Sequence, residues 1–189
     1  MINKIIAIVK REHEKEDYNN HIKVVVKNAL KLADIKNADK EIIEIASLLH
    51  DIGRAHGLKP GEENNHHIVS ARRAEGILKN LNYPVEKIQK VVNCILSHRS
   101  GKDDFIPKTI EEKIVANADA MAHFDTFLDL FKEFIMQEEF EKAVKIIDAK
   151  IERDWNKKLT IPEAKELVKE KYKAIRLLLD SMEENFTKP

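Results

Sequence analysis

His50 and Asp51 close an apolar run, Ala46, Leu48 and Leu49, in the segment SLLHDIGR. An imidazole beside a carboxylate where a helix must be buried is an expensive arrangement. An ionised carboxylate there costs several kcal/mol unless it is paired or binds a cation. A single dipeptide of this kind occurs often by chance, so the test is whether other ligand-type side chains share its helical phase. His21 heads the series Val24/Val25, Asn28, Ala29 and Leu32, on an apolar stripe. His50 follows Ile43 and Ala46 at the same spacing, and Asp119 follows Val115 and Ala116 in KIVANADAMAHF. Three helices thus turn His, His-Asp and Asp towards one interior. Two imidazoles and two carboxylates suit a divalent cation, with Zn, Mn, Fe, Co and Ni all compatible. Two further histidines obey the rule: His66 precedes Ser70, Ala74 and Ile77, and His98 follows Val91, Cys94 and Ile95. A lone histidine on an apolar face is usually a hydrogen-bonded core residue. Five polar intrusions on apolar faces point instead to a metal site.

The elements that must position these groups are helical. Apolar residues recur with the helical period and show little β-branched alternation, which predicts helices at about 2–15, 19–34, 40–53, 64–81, 84–98, 109–122, 124–156 (broken) and 161–186. Glycine and proline are scarce and stand at punctuation points: Gly53, Gly57, Pro60 and Gly61 in one loop, Pro84 at a helix start, Gly101 and Pro107 in another loop. Thr109 with Glu112 and Thr160 with Glu163 read as capping boxes, the second with Pro162 in its first turn. After Asp125 the chain becomes rich in Glu and Lys, with Phe127, Phe131, Phe134 and Phe140 spaced along it. That pattern predicts amphipathic helices packing on the domain or on a second copy of the chain. The expected organisation is one helical metal-binding domain over 1–125 and a C-terminal extension over 126–189 that is not independent.

Composition bounds the function. At 189 residues, 43% hydrophobic and 35% charged, the chain is long enough for a core and unlike a disordered one. Lys+Arg and Asp+Glu both number 33, so no global basic field predicts stable nucleic-acid binding. Cys94 is the one cysteine, which excludes an internal disulfide and suits a reducing compartment; in VVNCILSH it reads as a buried, inert thiol. The N-terminal run is broken by Lys4 and Lys10 and lacks the features of a signal peptide, and no apolar stretch reaches the ~18 residues of a membrane helix. A cytoplasmic protein without membrane contact is expected, with a homodimer through the C-terminal helices as a possible assembly.

His21 in HIKVVVKNALKLA, His50-Asp51 in LLHDIGR and Asp119 in IVANADAM together resemble the H…HD…D signature of the HD-domain superfamily, in its HDIG form and over about residues 15–130. The resemblance implies an all-α helical bundle that holds metal between its helices. It also implies a metal-dependent phosphohydrolase, acting on a nucleotide or other small phosphate ester through a metal-activated hydroxide. In dinuclear members two more histidines hold a second ion. His66 and His98 are similar to these, with His67 as the competitor for the first role. Asp51 would bridge the ions and carry the catalytic role, so one or two divalent ions per chain are expected. Neutralising the substrate falls to nearby cations: Arg54 after the HD pair, Lys59 in the next loop, and Arg99 beside His98. Arg72, Arg73 and Lys113 read as solvated charges, His13 and His123 as peripheral, and His56 as either an outer acid or a loop residue. The chain lacks the GYP-type extension of cyclic-dinucleotide phosphodiesterases. Two other readings share the ligand pattern: a di-iron oxygenase on the same fold, and a non-catalytic sensor or scaffold.

Overall fold

The computed structural model describes residues 1–55, 57, 65–99 and 105–186. Among them are ten α-helices and no strand. The order is α1 (Ile2–Glu12), α2 (Lys15–Asp17), α3 (Lys23–Lys36), α4 (Lys40–Leu49), α5 (His66–Asn80), α6 (Val85–Ser97), α7 (Ile110–Asp125), α8 (Phe127–Gln137), α9 (Phe140–Arg153) and α10 (Pro162–Phe186). Single π-helical turns join α2 to α3 (Tyr18–Ile22) and follow α9 (Asp154–Lys158). No described helix is long and apolar enough to cross a membrane.

The centre of the bundle is α7, which packs against α3, α4, α6 and α10. Its sequence explains the place: Ala116, Ala118, Ala120 and Ala122 are all buried, and short side chains let helices approach from every side. Its start is the predicted one. Thr109 accepts from the Glu112 amide at 3.3 Å, while the Glu112 carboxylate accepts from the Lys108 amide at 2.6 Å. The start of α4 carries a cap of a simpler kind, in which Asp39 Oδ1 accepts from the amides of Glu41 and Ile42.

The predicted second capping box is replaced by tertiary partners. Thr160 Oγ1 accepts from Asn117 Nδ2 at 3.0 Å, and Glu163 pairs with Lys36 of α3 at 2.7 Å. Asn117 Oδ1 also accepts from the Ile161 amide at 2.9 Å, so a buried side chain of α7 sets the entry to α10. Trp155 stacks on Tyr172 with ring centroids 4.1 Å apart, and Phe124 of α7 meets both rings edge-on.

The C-terminal helices share the core. Val144, Ile147, Ile151, Ile161, Ala164, Val168, Ile175 and Leu179 belong to the same buried cluster as Ile5, Leu32 and Ile95. Burying each large aliphatic contributes about 1.5–3 kcal/mol over leaving it exposed. The expected break in 124–156 falls at two places: Thr126, whose hydroxyl donates back to Ala122 O, and the extended Glu138–Glu139 link.

Two predicted boundaries move. The helix expected over 40–53 ends at Leu49, and residues 50–55 turn with bonds such as Arg54 N to Asp51 O at 2.8 Å. The helix expected over 2–15 ends at Glu12, and His13 is extended.

Candidate metal centre

Three helix ends and the middle of α7 meet at the site. His50 is the C-cap of α4 and Asp51 follows it; His66 opens α5; His98 is the C-cap of α6; Asp119 projects from α7. His21 stands in the first π turn, whose extra residue re-aims the side chains that follow. Single π turns within helices frequently lie at functional sites and have no signature in apolar periodicity.

The geometry divides into two halves that share Asp51. On one side Asp51 Oδ2 lies 3.7 Å from His21 Nε2 and 3.6 Å from His50 Nε2, while Asp119 Oδ1 lies 3.4 and 3.8 Å from the same two nitrogens. On the other side Asp51 Oδ1 lies 3.6 Å from His66 Nε2 and 3.8 Å from His98 Nε2. The nitrogens themselves converge: His21 and His50 Nε2 are 3.1 Å apart, His66 and His98 Nε2 3.3 Å.

The backbone assigns the tautomers. His50 Nδ1 donates to Ser47 O at 2.8 Å and His98 Nδ1 to Ile95 O at 2.6 Å, which turns each Nε2 towards the site. Burial holds His66 down to about 4 and His98 down to about 3, so both are neutral at pH 7. For Asp51 burial alone would raise the carboxyl, but His50, Arg54, His98 and His66 outweigh it and hold it below its usual range. Burial would likewise raise Asp119, and Lys158, followed by His123 and His21, outweighs it and holds the carboxyl well below that range.

Imidazole nitrogens and carboxylate oxygens converge here, and the buried Lys158 donates to one of them, Asp119 Oδ2. Asp51 Oδ1 is buried with no hydrogen-bond partner. These residues fit a divalent cation on each side of Asp51, by donor type and by the unsatisfied oxygen. His21, His50 and Asp51 form one group able to hold an ion, and Asp51, His66 and His98 form another.

Of the two competing histidines, His66 faces Asp51, whereas His67 packs edge-on against Phe105 with centroids 5.4 Å apart. Arg54 is exposed, with Nε 3.7 Å from Asp51 Oδ1, and Arg99 lines the same cleft. Lys59 and His56 lie outside the described residues.

Three readings need correction. Arg73 is a half-buried clamp rather than a solvated charge: it donates to Ile52 O at 2.6 Å and to Glu12 at 2.9 Å, tying α5 and α1 to the turn after Asp51. His13 is buried and lines the cleft. His123 is central: its ring stacks on His21 with centroids 5.7 Å apart, its Nε2 is 3.9 Å from Asp119 Oδ1, and its Nδ1 is 2.7 Å from Asp154 Oδ2. A signal for it exists in the sequence, because His123 follows Asp119 by one helical turn and so shares its face.

The C-terminal segment supplies residues absent from the predicted set. Lys158 is buried and its Nζ lies 2.6 Å from Asp119 Oδ2, the oxygen turned away from His21. Asp154, fully buried, gathers His123, Arg153 at 3.0 Å and Lys150 at 3.6 Å. Both Asp154 and Lys158 belong to the second π turn. An open cleft of about 1280 Å³ leads to the site between these residues, α2 and α8.

An all-α bundle that turns His, His-Asp and Asp from separate helices onto one point defines a class of metal-binding helical domain. The family profile of the HD domain matches residues 18–123, and the chain belongs to that family. Solved structures share the fold. An HD-superfamily hydrolase from Bacillus thuringiensis matches with a TM-score of 0.71 at 18% identity, covering 100% of this chain and 97% of that one. A Listeria innocua protein matches with a TM-score of 0.70 at 21% identity (100% and 99%), and a predicted HD-superfamily hydrolase from an uncultured Thermotogales bacterium with 0.64 at 20% (97% and 92%). The shared fold therefore extends through α8–α10, past residue 130.

Curated relatives are tRNA (cytidine(56)-2'-O)-methyltransferases. That of Picrophilus torridus is 33% identical over 137 residues, 66% of this chain and 37% of the relative. That of Thermoplasma volcanium is 36% identical over 118 residues, 59% of this chain and 33% of the relative. The chain matches about a third of the length of these proteins.

Proposed function

We propose that the chain is a metal-dependent phosphohydrolase for a small phosphorylated substrate, a nucleotide or other phosphate ester. The observation that carries the reading is Asp51, with one oxygen facing His21 and His50 and the other, lacking any hydrogen bond, facing His66 and His98. His21, His50, Asp51 and Asp119 would hold one divalent ion, and Asp51, His66 and His98 a second. Bound ions of this kind activate water at neutral pH and clamp phosphate oxygens.

The chain's own residues do the rest. The Ser47 and Ile95 carbonyls fix His50 and His98 with Nε2 inward, so no reorganisation is needed when the site is used. Arg54 and Arg99 line the cleft, where guanidinium groups can grip phosphate oxygens two at a time. The buried walls around His50 and His98 keep bulk water from the floor. Two of the solved structures that share the fold are named hydrolases, which agrees with this chemistry. Methyl transfer is the named activity of relatives of which the chain matches about a third, and the phosphate-directed site offers no separate support for it here.

The test is metal content per chain followed by a phosphate-release screen. About two ions per chain and metal-dependent release of phosphate are expected. Failure to retain any ion after exposure to Mn, Ni, Co or Zn would end this reading. An iron pair with oxygen-dependent turnover would replace it with oxygenase chemistry.

A further inference from the structure

The two donor sets around Asp51 leave out a histidine that has the support of a ligand. His123 stands one helical turn after Asp119 on α7, so the two side chains share a face. Its Nδ1 is 2.7 Å from Asp154 Oδ2, and a carboxylate can only accept, so Nδ1 carries the ring proton. In the neutral ring the lone pair is then on Nε2, the nitrogen on the side of Asp119. Donating one nitrogen to a carboxylate while offering the other is how metal-bound imidazoles are usually held. Asp154 does not need the ring as a counter-ion. Arg153 Nη2 lies 3.0 Å from its Oδ1, and Lys150 Nζ 3.6 Å from its Oδ2.

Distances put His123 Nε2 among the other donors. Two donors on one ion, each about 2.1 Å from it, stand about 3–4 Å apart. Around Asp119 Oδ1 the Nε2 atoms of His21, His50 and His123 lie at 3.4, 3.8 and 3.9 Å. His21, Asp119 and His123 offer donor atoms that all fall within 4.8 Å of one another. These three could serve an ion of their own or share the one at His21. Sharing is favoured, because His21 Nε2 has one lone pair and can bind only one cation. Lys158 also takes the other oxygen of Asp119 at 2.6 Å, and its ammonium would repel an additional ion placed there.

We propose that His123, oriented by Asp154, is a fifth protein ligand of the ion at His21, His50, Asp51 and Asp119. This rests on the metal-centre reading and is independent of the substrate. Three imidazoles and two carboxylates then hold this ion, against His66, His98 and Asp51 for the other. The ion at His21 is nearly filled by the protein. It is therefore the tighter of the two, and its site favours a metal that accepts six donors, Mn, Fe, Co or Ni, over four-coordinate Zn. The open positions, and with them water and substrate, fall to the ion at His66 and His98.

The test loads the chelator-treated full chain with Co(II). Calorimetry reads the affinities, and proton NMR reads the ligands, since each imidazole bound to Co(II) shows a far-shifted exchangeable N–H. His123→Ala and His123→Gln should each weaken the tighter ion by at least about tenfold, the least that loss of a supporting partner costs, and leave the weaker ion unchanged. Each should also lose one far-shifted N–H signal. His123→Gln keeps an N–H for Asp154 but has no ring nitrogen, so a purely structural part for His123 would survive it. Circular dichroism and Tm verify folding of both variants. An unchanged tighter site with the full set of shifted signals in folded His123→Gln overturns the proposal while leaving the metal centre standing. A wild type that binds no Co(II) overturns both.

Discussion

Asp51 serves both halves of the site, so its replacement has a sharper consequence than that of any single histidine. Asp51→Asn keeps the shape but removes the charge that offsets two cations. Loss of both ions and of at least about a hundredfold in turnover is expected, with helicity retained, checked by elemental analysis and circular dichroism. His66→Ala should lose one ion of two, and His67→Ala should keep both, since His67 packs on Phe105. Unchanged stoichiometry in His66→Ala would confine the site to one ion.

The same residues set a pH dependence. His66, His98 and His123 sit at about 4, 3 and 4 in the folded chain because burial disfavours their charged forms. In the unfolded chain they titrate near 6.5, so between these values the unfolded state binds more protons. Their contribution to stability is full above about pH 6.5 and is lost as pH falls towards 4. The carboxylates, held below their usual range, keep their contribution until still lower pH. Thermal unfolding of the chelator-treated protein should show Tm falling steadily from about pH 6.5 to about pH 4, and a flat Tm across that window would contradict the burial of neutral histidines.

At the scale of elements, the glycine after the HD pair is explained by contact. A Cβ on Gly53 would meet Ser70 N at 2.7 Å and His66 O at 3.1 Å, so the turn after α4 lies directly against the first turns of α5. The Gly53 amide also donates to Ser70 Oγ at 3.0 Å. Gly53→Ala must push α5 away, and His66 with it. A destabilisation of about 1–3 kcal/mol is expected, together with preferential loss of the ion held by His66 and His98. Asn117 plays the corresponding part for α10. Asn117→Ala leaves the Ile161 amide without its acceptor, which should cost about 1–3 kcal/mol and lower Tm by several degrees.

At the scale of the molecule, the C-terminal helices complete both the core and the site. Ending the chain at Glu139 removes Val144, Ile147, Ile151, Val168 and Leu179 from the common cluster and uncovers α7. Such a truncation is expected to lose its near-ultraviolet dichroism and cooperative melting, because α7 has little polar surface to show to water. It would also strip Lys158 from Asp119 and Asp154 from His123. Full cooperative unfolding of residues 1–139 would show instead that the extension is an appendage.

The sequence by itself determined the helical class, most helix positions and the inward facing of His21, His50, Asp51, His98 and Asp119. These follow from local rules: a polar side chain in an apolar helical stripe must point inward, wherever that helix goes. Such rules reach about one helical turn, so they put His123 on the face of Asp119 but cannot show the Asp154 that makes it central. Only the tertiary structure decided the choice of His66 over His67, the π turns that aim His21 and Lys158, and the joining of the last helices to the site. Lys158 reaches Asp119 across 39 residues, and Asn117 reaches Ile161 across 44. Nothing in the spacing of one helix encodes which distant charge will pack on it, because that pairing depends on how α7, α9 and α10 settle against each other's surfaces.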